Sequence, residues 1–150
     1  FMGAESKDDG ELKSWKSLSS QVRIERSLFV GKQDVKLLGN YAVRYWAKHI
    51  KYCLEKHNVL PDTISYVLPH VSSMFFYDKI INELEQVGIG IDKSKWFTNL
   101  PEVGNIASAA IFAILDQFWK THKLMPGEKI LLLVPESGRF SYGTVLLSVV

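Results

Sequence analysis

The chain carries a single cysteine, Cys53, among its 150 residues. No disulfide can close within it, and one thiol beside four scattered histidines does not supply the paired ligand spacings of a structural zinc site. A reducing cytoplasm is the default expectation. Neither sign of charge dominates, since 18 Lys plus Arg face 16 Asp plus Glu for a net charge of +2. The basic residues are interspersed with acidic ones, so the stripe that displaces counterions from nucleic acid is missing, and nucleic acid is not an expected partner. Long apolar runs are absent as well: the uncharged stretch from Asn105 stops at Asp116, short of the roughly 20 apolar residues that span a bilayer. The opening Phe1-Met2-Gly3-Ala4-Glu5 lacks the basic start, apolar centre and cleavage site of a secretory leader. Without an initiating methionine, the chain reads as a piece of something longer. Fixed-period repeats and low-complexity tracts are also missing.

What is present is an ordinary globular composition, 47 % hydrophobic, 23 % charged and 12 % aromatic. A chain of this length buries roughly two thirds of the surface its unfolded form exposes, enough for a core without staples. From Glu5 to Ser20 the sequence is polar, and residues 1–20 read as a loop region. Gln21 to Val30 then alternates, with Val22, Ile24, Leu28 and Val30 against Arg23, Glu25 and Arg26, which predicts a strand closed by Gly31. Asp34 stands as N-cap to a long helix, on which Val35, Leu38, Ala42, Tyr45, Trp46, His49 and Cys53 recur at three- and four-residue spacing.

Pro61-Asp62 marks a turn before Ile64 to Leu68, an apolar run bounded by Pro69 and so a buried strand. His70 stands at its carboxyl end. Ser72 or Ser73 caps a second helix carrying Phe76, Ile80, Ile81, Leu84 and Val87, and Gly88 fits the left-handed residue that stops it. Lys95 to Leu100 is a third strand candidate. A small-residue helix follows from Ala107 to Trp119, opened by Asn105. Lys129 to Val134 and Tyr142 to Val150 form the last two strands.

This order predicts an α/β fold with a mixed, mostly parallel five-stranded sheet and helices on both faces. In such sheets chemistry gathers beyond the carboxyl ends of strands, which places His70, Asn105 and Gly138 at one end. Taken singly, each has an ordinary role: His70 as a partly exposed surface residue, Asn105 as an N-cap, Gly138 as a turn residue. His49, His57 and His122 fall on helix faces or ends and carry no assigned role. Cys53 lies on the apolar stripe of the long helix, where a small packed thiol is the expected fate.

Three segments in order and spacing carry a resemblance. Leu68-Pro69-His70, Gly104-Asn105-Ile106-Ala107-Ser108-Ala109-Ala110 and Ser137-Gly138-Arg139-Phe140-Ser141-Tyr142-Gly143 resemble the C-terminal half of a beta-ketoacyl-acyl carrier protein synthase III, and Leu38-Gly39-Asn40 also looks like that family. The resemblance implies a thiolase-like half-fold over residues 21–150, with the family's nucleophilic cysteine in an N-terminal half that this chain lacks. It implies that His70 and Asn105 donate hydrogen bonds to a malonyl thioester oxygen as carbon dioxide leaves, where such donors lower the barrier by several kcal/mol. It implies that the Gly138 N–H helps form an oxyanion hole. Acyl-CoA or acyl carrier protein thioesters, the missing half and a second copy in a homodimer are the implied partners. No cofactor is implied, because thioesters bring their own activation.

The chain also departs from the family pattern. Val71-Ser72-Ser73 replaces a glutamine-alanine-asparagine run, and Pro135-Glu136-Ser137-Gly138-Arg139 replaces a glycine-rich turn. This looks like the branch that makes aryl polyenes or dialkylresorcinols. There Glu136, Arg139 and Phe140 would contact substrate, Arg139 holding a carboxylate or polarising a carbonyl; the alternative is a surface ion pair between Arg139 and Glu136. Two functions stay open: half of an acyltransferase performing decarboxylative Claisen condensation, inactive as a fragment, or a non-catalytic partner subunit that binds acyl thioesters.

Overall fold

The computed structural model describes residues 4–6, 12–14, 17–25, 35–136 and 141–150. Two short strands, β1 (Ala4–Ser6) and β2 (Leu12–Ser14), pair antiparallel inside the stretch read from sequence as loop. The described part of the strand expected over Gln21 to Val30 is instead a helix, α1 (Ser20–Glu25), and residues 26–30 lie outside the described residues. Ser19 Oγ accepts the Val22 N–H at 3.3 Å, and Gln21 donates to Glu25 one turn on at 2.9 Å. These local bonds favour helix over the alternation, whose Ile24 remains 69 % exposed. Gly31 and the expected cap Asp34 lie outside the described residues.

The long helix is present in three parts: α2 (Val35–Leu37), a π-helical turn (Leu38–Ala42) and α3 (Val43–Lys56). Its buried stripe is Val43, Trp46, Ala47, Ile50 and Leu54. The helix ends at Asn58 in a left-handed conformation, φ 53°, with the Val59 N–H returning to the Leu54 carbonyl at 2.9 Å. β3 (Tyr66–Pro69) and α4 (Met74–Gln86) follow. Ser73 holds the N-cap position of α4, and Gly88 at φ 82° closes that helix as expected.

The third strand expected at Lys95 to Leu100 shrinks to one parallel bridge between Trp96 and Val67, with the Phe97 N–H on the Val67 carbonyl at 3.0 Å. A 3-10 turn capped by Asp92 precedes it. Pro101 then sits in the first turn of α5 (Leu100–Val103), and Asn99, buried, donates to Gln117 at 2.8 Å. The chain is thereby pulled off the sheet edge into a helix that Pro pre-sets. α6 (Ala110–Thr121), β4 (Lys129–Glu136) and β5 (Ser141–Ser148) complete the order.

The α/β class and the mixed sheet hold, but among the described residues the sheet at the core has three strands in the order β3-β4-β5 rather than five. β3 and β4 run parallel, and β4 and β5 antiparallel. Helices cover both faces, as the near-continuous apolar strands demand. Val67, Leu131 and Leu133 face α3 and α4, whereas Leu68, Ile130 and Leu132 face Ile111, Ile114 and Phe118 of α6. The alternation along each strand assigns neighbouring residues to opposite cores. No helix among the described residues is long and apolar enough to cross a membrane.

Candidate functional site

His70 is set by the sheet itself. Its N–H donates to the Leu133 carbonyl at 2.8 Å, which carries the β3–β4 ladder one residue past Pro69 and fixes the backbone from which the imidazole leaves. The ring is half-buried, and burial holds its pKa below the ordinary histidine value of 6.5. The side chain is therefore neutral at pH 7, with an N–H to give and a lone pair to receive. Nδ1 is buried and has no hydrogen-bond partner among the described residues.

Asn105 is set by its own loop. Gly104, at φ 76° and ψ −177°, adopts a conformation open essentially to glycine alone, and its N–H closes α5 on the Leu100 carbonyl at 2.9 Å. One residue on, Asn105 Oδ1 accepts the Ala107 N–H at 3.0 Å. The oxygen end of the carboxamide is taken by this turn. Its NH2 end is the donor left for a ligand.

These two residues, 35 positions apart in sequence, line one cavity of ≈ 340 Å³, at the small end of the range for ligand pockets. Glu136, the last residue of β4, and Tyr142, on β5, line it too, as do Trp46 and Phe76 from the covering helices. The wall is largely apolar, and the polar groups converge where the strands end. Gly138, Arg139 and Phe140 lie outside the described residues, so of the expected site residues the structure places His70, Asn105 and Glu136. It brings all three to the same cavity.

Cys53 does not line the cavity. It sits on α3 with Sγ 3.4 Å from His49 Nε2. Among the described residues no group of three or more His, Cys, Asp or Glu side chains is placed to hold a metal ion. Tyr142 lines the site without having been expected there, although it falls inside the third of the family-like segments. Leu38 and Ala42, which reach the wall through a π-turn, were equally unexpected. The signal available for them was Leu38-Gly39-Asn40, where two poor helix formers interrupt a helical pattern.

Residues 54–149 match the model of the 3-oxoacyl-(acyl-carrier-protein) synthase III C-terminal family. The chain belongs to this family. Two curated relatives are the beta-ketoacyl-(acyl-carrier-protein) synthases III of Clostridium kluyveri, 27 % identical over 117 residues, and of Aquifex aeolicus, 33 % identical over 106 residues. The matches cover 78 % and 71 % of this chain but 34 % and 32 % of those proteins. The chain thus spans about a third of the length of the curated relatives it matches.

Among solved structures, the Aquifex aeolicus 3-oxoacyl-(acyl-carrier-protein) synthase III superposes with a TM-score of 0.65 at 26 % identity, over 98 % of this chain and 40 % of that one. The synthase III from Pseudomonas aeruginosa gives 0.66 at 20 % identity, over 78 % and 35 %, a likeness of fold. Both likenesses are to the α/β architecture described above.

Proposed function

We propose that this chain is the C-terminal half of a synthase III-type acyltransferase and supplies two hydrogen-bond donors to a decarboxylative Claisen condensation. The observation that carries this reading is the meeting of His70 and the Asn105 carboxamide at one cavity. In the proposed step the bond between the malonyl carboxylate carbon and its α-carbon breaks, carbon dioxide leaves, and the electron pair forms an enolate on the thioester oxygen. A neutral imidazole N–H and the Asn105 NH2 stabilise that oxygen without a proton changing hands. The α-carbon then bonds to the carbonyl carbon of an acyl thioester held on a cysteine, and the cysteine thiolate departs.

That cysteine is not Cys53, which lies off the cavity beside His49. The nucleophile belongs in this reading to a preceding half of the same protein. The one-third coverage of the relatives and the exposed Phe112 and Trp119 of α6 support that assignment. Glu136 at the cavity sets the chain apart from a glycine-rich turn and supports an acceptor of the 3-oxoacyl type, in fatty acid or polyketide-type (aryl polyene, dialkylresorcinol) synthesis. Acyl-CoA or carrier-protein thioesters are the substrates, and a homodimer in the cytoplasm is the working form.

A second reading, a thioester-binding partner subunit, rests on the absence of a thiol from the cavity among the described residues. Malonyl-thioester decarboxylation by the complete protein decides between them. Activity in the wild type that falls at least about a hundredfold in both His70→Ala and Asn105→Ala, the scale of losing one oxyanion donor, supports the enzyme. A complete protein that binds acyl thioesters but releases no carbon dioxide is the partner subunit.

A further inference from the structure

We infer that Tyr142 and Lys79 are positioning residues that clamp the π-turn Leu38–Ala42 as a fixed wall of the substrate cavity. This inference rests on the thioester-binding reading of that cavity and names the device that shapes it.

A π-turn is rare because its i→i+5 bonding widens the helix, and where it occurs it often borders a functional site. Here the turn supplies Leu38 and Ala42 to the cavity wall, and the first residue of α3, Val43, continues it. Two side chains from distant elements take carbonyls of this one turn. The Tyr142 hydroxyl donates to the Ala42 carbonyl at 2.8 Å across 100 residues of sequence. The Lys79 ammonium, from α4, donates to the Gly39 carbonyl. One end of the turn is thus tied to β5 and the other to α4, and both of those elements also border the cavity through Tyr142 and Phe76.

The Tyr142 donor is built to persist. Burial first, and the neighbouring Tyr45 second, push its pKa up to about 12, so the hydroxyl keeps its proton at any physiological pH. Its ring packs against His49, centroids 5.8 Å apart, which limits the directions in which the hydroxyl can point. Lys79 likewise lies over the Phe75 ring at 5.5 Å. A Cβ added at Gly39 would meet no atom within 4 Å, so at this residue the Lys79 bond, not crowding, fixes the backbone.

A wall that contacts the ligand acts on binding, whereas a residue that only supports folding lowers the amount of active protein. The test uses the complete protein and compares wild type, Tyr142→Phe, Lys79→Met and the double variant, with an acyl thioester as probe. The expected result is a KM raised about threefold to tenfold in each single variant, the range spanned by one lost hydrogen bond, with a smaller change in kcat. Hydrogen exchange of the amides from Leu38 to Ala47 is expected to quicken in the same variants, a readout that needs no activity. A fall in kcat at unchanged KM, or exchange at the wild-type rate, overturns the clamp. Wild type that neither turns over nor binds the thioester overturns the functional reading instead, and the exchange measurement still judges the clamp.

Discussion

Asn105 Oδ1 accepts the N–H of Ala107 at 3.0 Å, and Ala107 itself sits at φ 54°. The oxygen of this side chain holds the loop, and on the proposed reading its NH2 is the donor to the enolate. Asn105→Asp separates these roles. An aspartate oxygen can still accept the Ala107 N–H, so the loop and the melting temperature are expected to stay close to wild type. The donor is gone and a negative charge stands where an enolate would form, so decarboxylation by the complete protein is expected to fall by at least about a hundredfold. A substantial loss of thermal stability in Asn105→Asp, or retention of activity, would count against this division of labour.

Gly104 and Ala107 make an opposed pair. Both have positive φ, at 76° and 54°, but only the first is a glycine. A Cβ at Gly104 meets nothing within 4 Å, so the cost of Gly104→Ala comes from the backbone alone, about 1–3 kcal/mol for a residue forced into so sparse a region. Ala107→Gly runs the other way. Relief of left-handed strain of about 1–2 kcal/mol exceeds the extra chain entropy of glycine, about 0.5–1 kcal/mol. Denaturant titration is expected to show the first variant destabilised and the second modestly stabilised.

Burial of His70 couples the site to pH. Its folded-state pKa lies below the ordinary 6.5. As pH falls through 6.5 the unfolded chain takes up a proton that the folded chain refuses, so stability falls on acidification until the folded-state pKa is passed. His70→Gln removes the group. The melting temperature of the variant is expected to decline less steeply than that of the wild type between about pH 7 and pH 5, the window that brackets a free histidine. Parallel declines would mean that the imidazole is not held neutral by its surroundings.

Much of this architecture is legible in the sequence because local and tertiary signals agree there. Ile64 to Leu68 and Lys129 to Val134 are apolar on both faces and become the parallel pair that is buried on both faces. Gly88 marks a helix end and takes the left-handed conformation expected of it. The misreadings occur where a particular side-chain bond, local or tertiary, outweighs periodicity. Ser19 and Gln21 turn an alternating segment into α1. Asn99, tied to Gln117, draws a strand-like segment off the sheet edge. His70 and Asn105 are legible only as part of a pattern of three segments, since a histidine at a strand end and an asparagine before a helix are common. Tyr142 is illegible for a different reason: its partner is a carbonyl 100 residues away, and a carbonyl has no signature in sequence.

The outer face of α6 yields the last prediction. Ile111, Ile114 and Phe118 bury one side of this helix against the sheet, yet Phe112 and Trp119, seven residues apart and so on a shared face, remain 72 % and 61 % exposed. The Asp116–Lys120 ion pair shares this outer face, so the aromatics form an apolar patch rather than an apolar side, and on the proposed reading the patch is covered by the preceding half. Each aromatic still exposes well over half of its surface, so the chain by itself is expected to self-associate through this patch. Sedimentation of the wild-type chain should show concentration-dependent oligomers, and Phe112→Ser with Trp119→Ser should shift it toward monomer without loss of helical circular dichroism. A monodisperse wild-type monomer would mean that this face does not drive association, and the argument for a covering layer would fall with it.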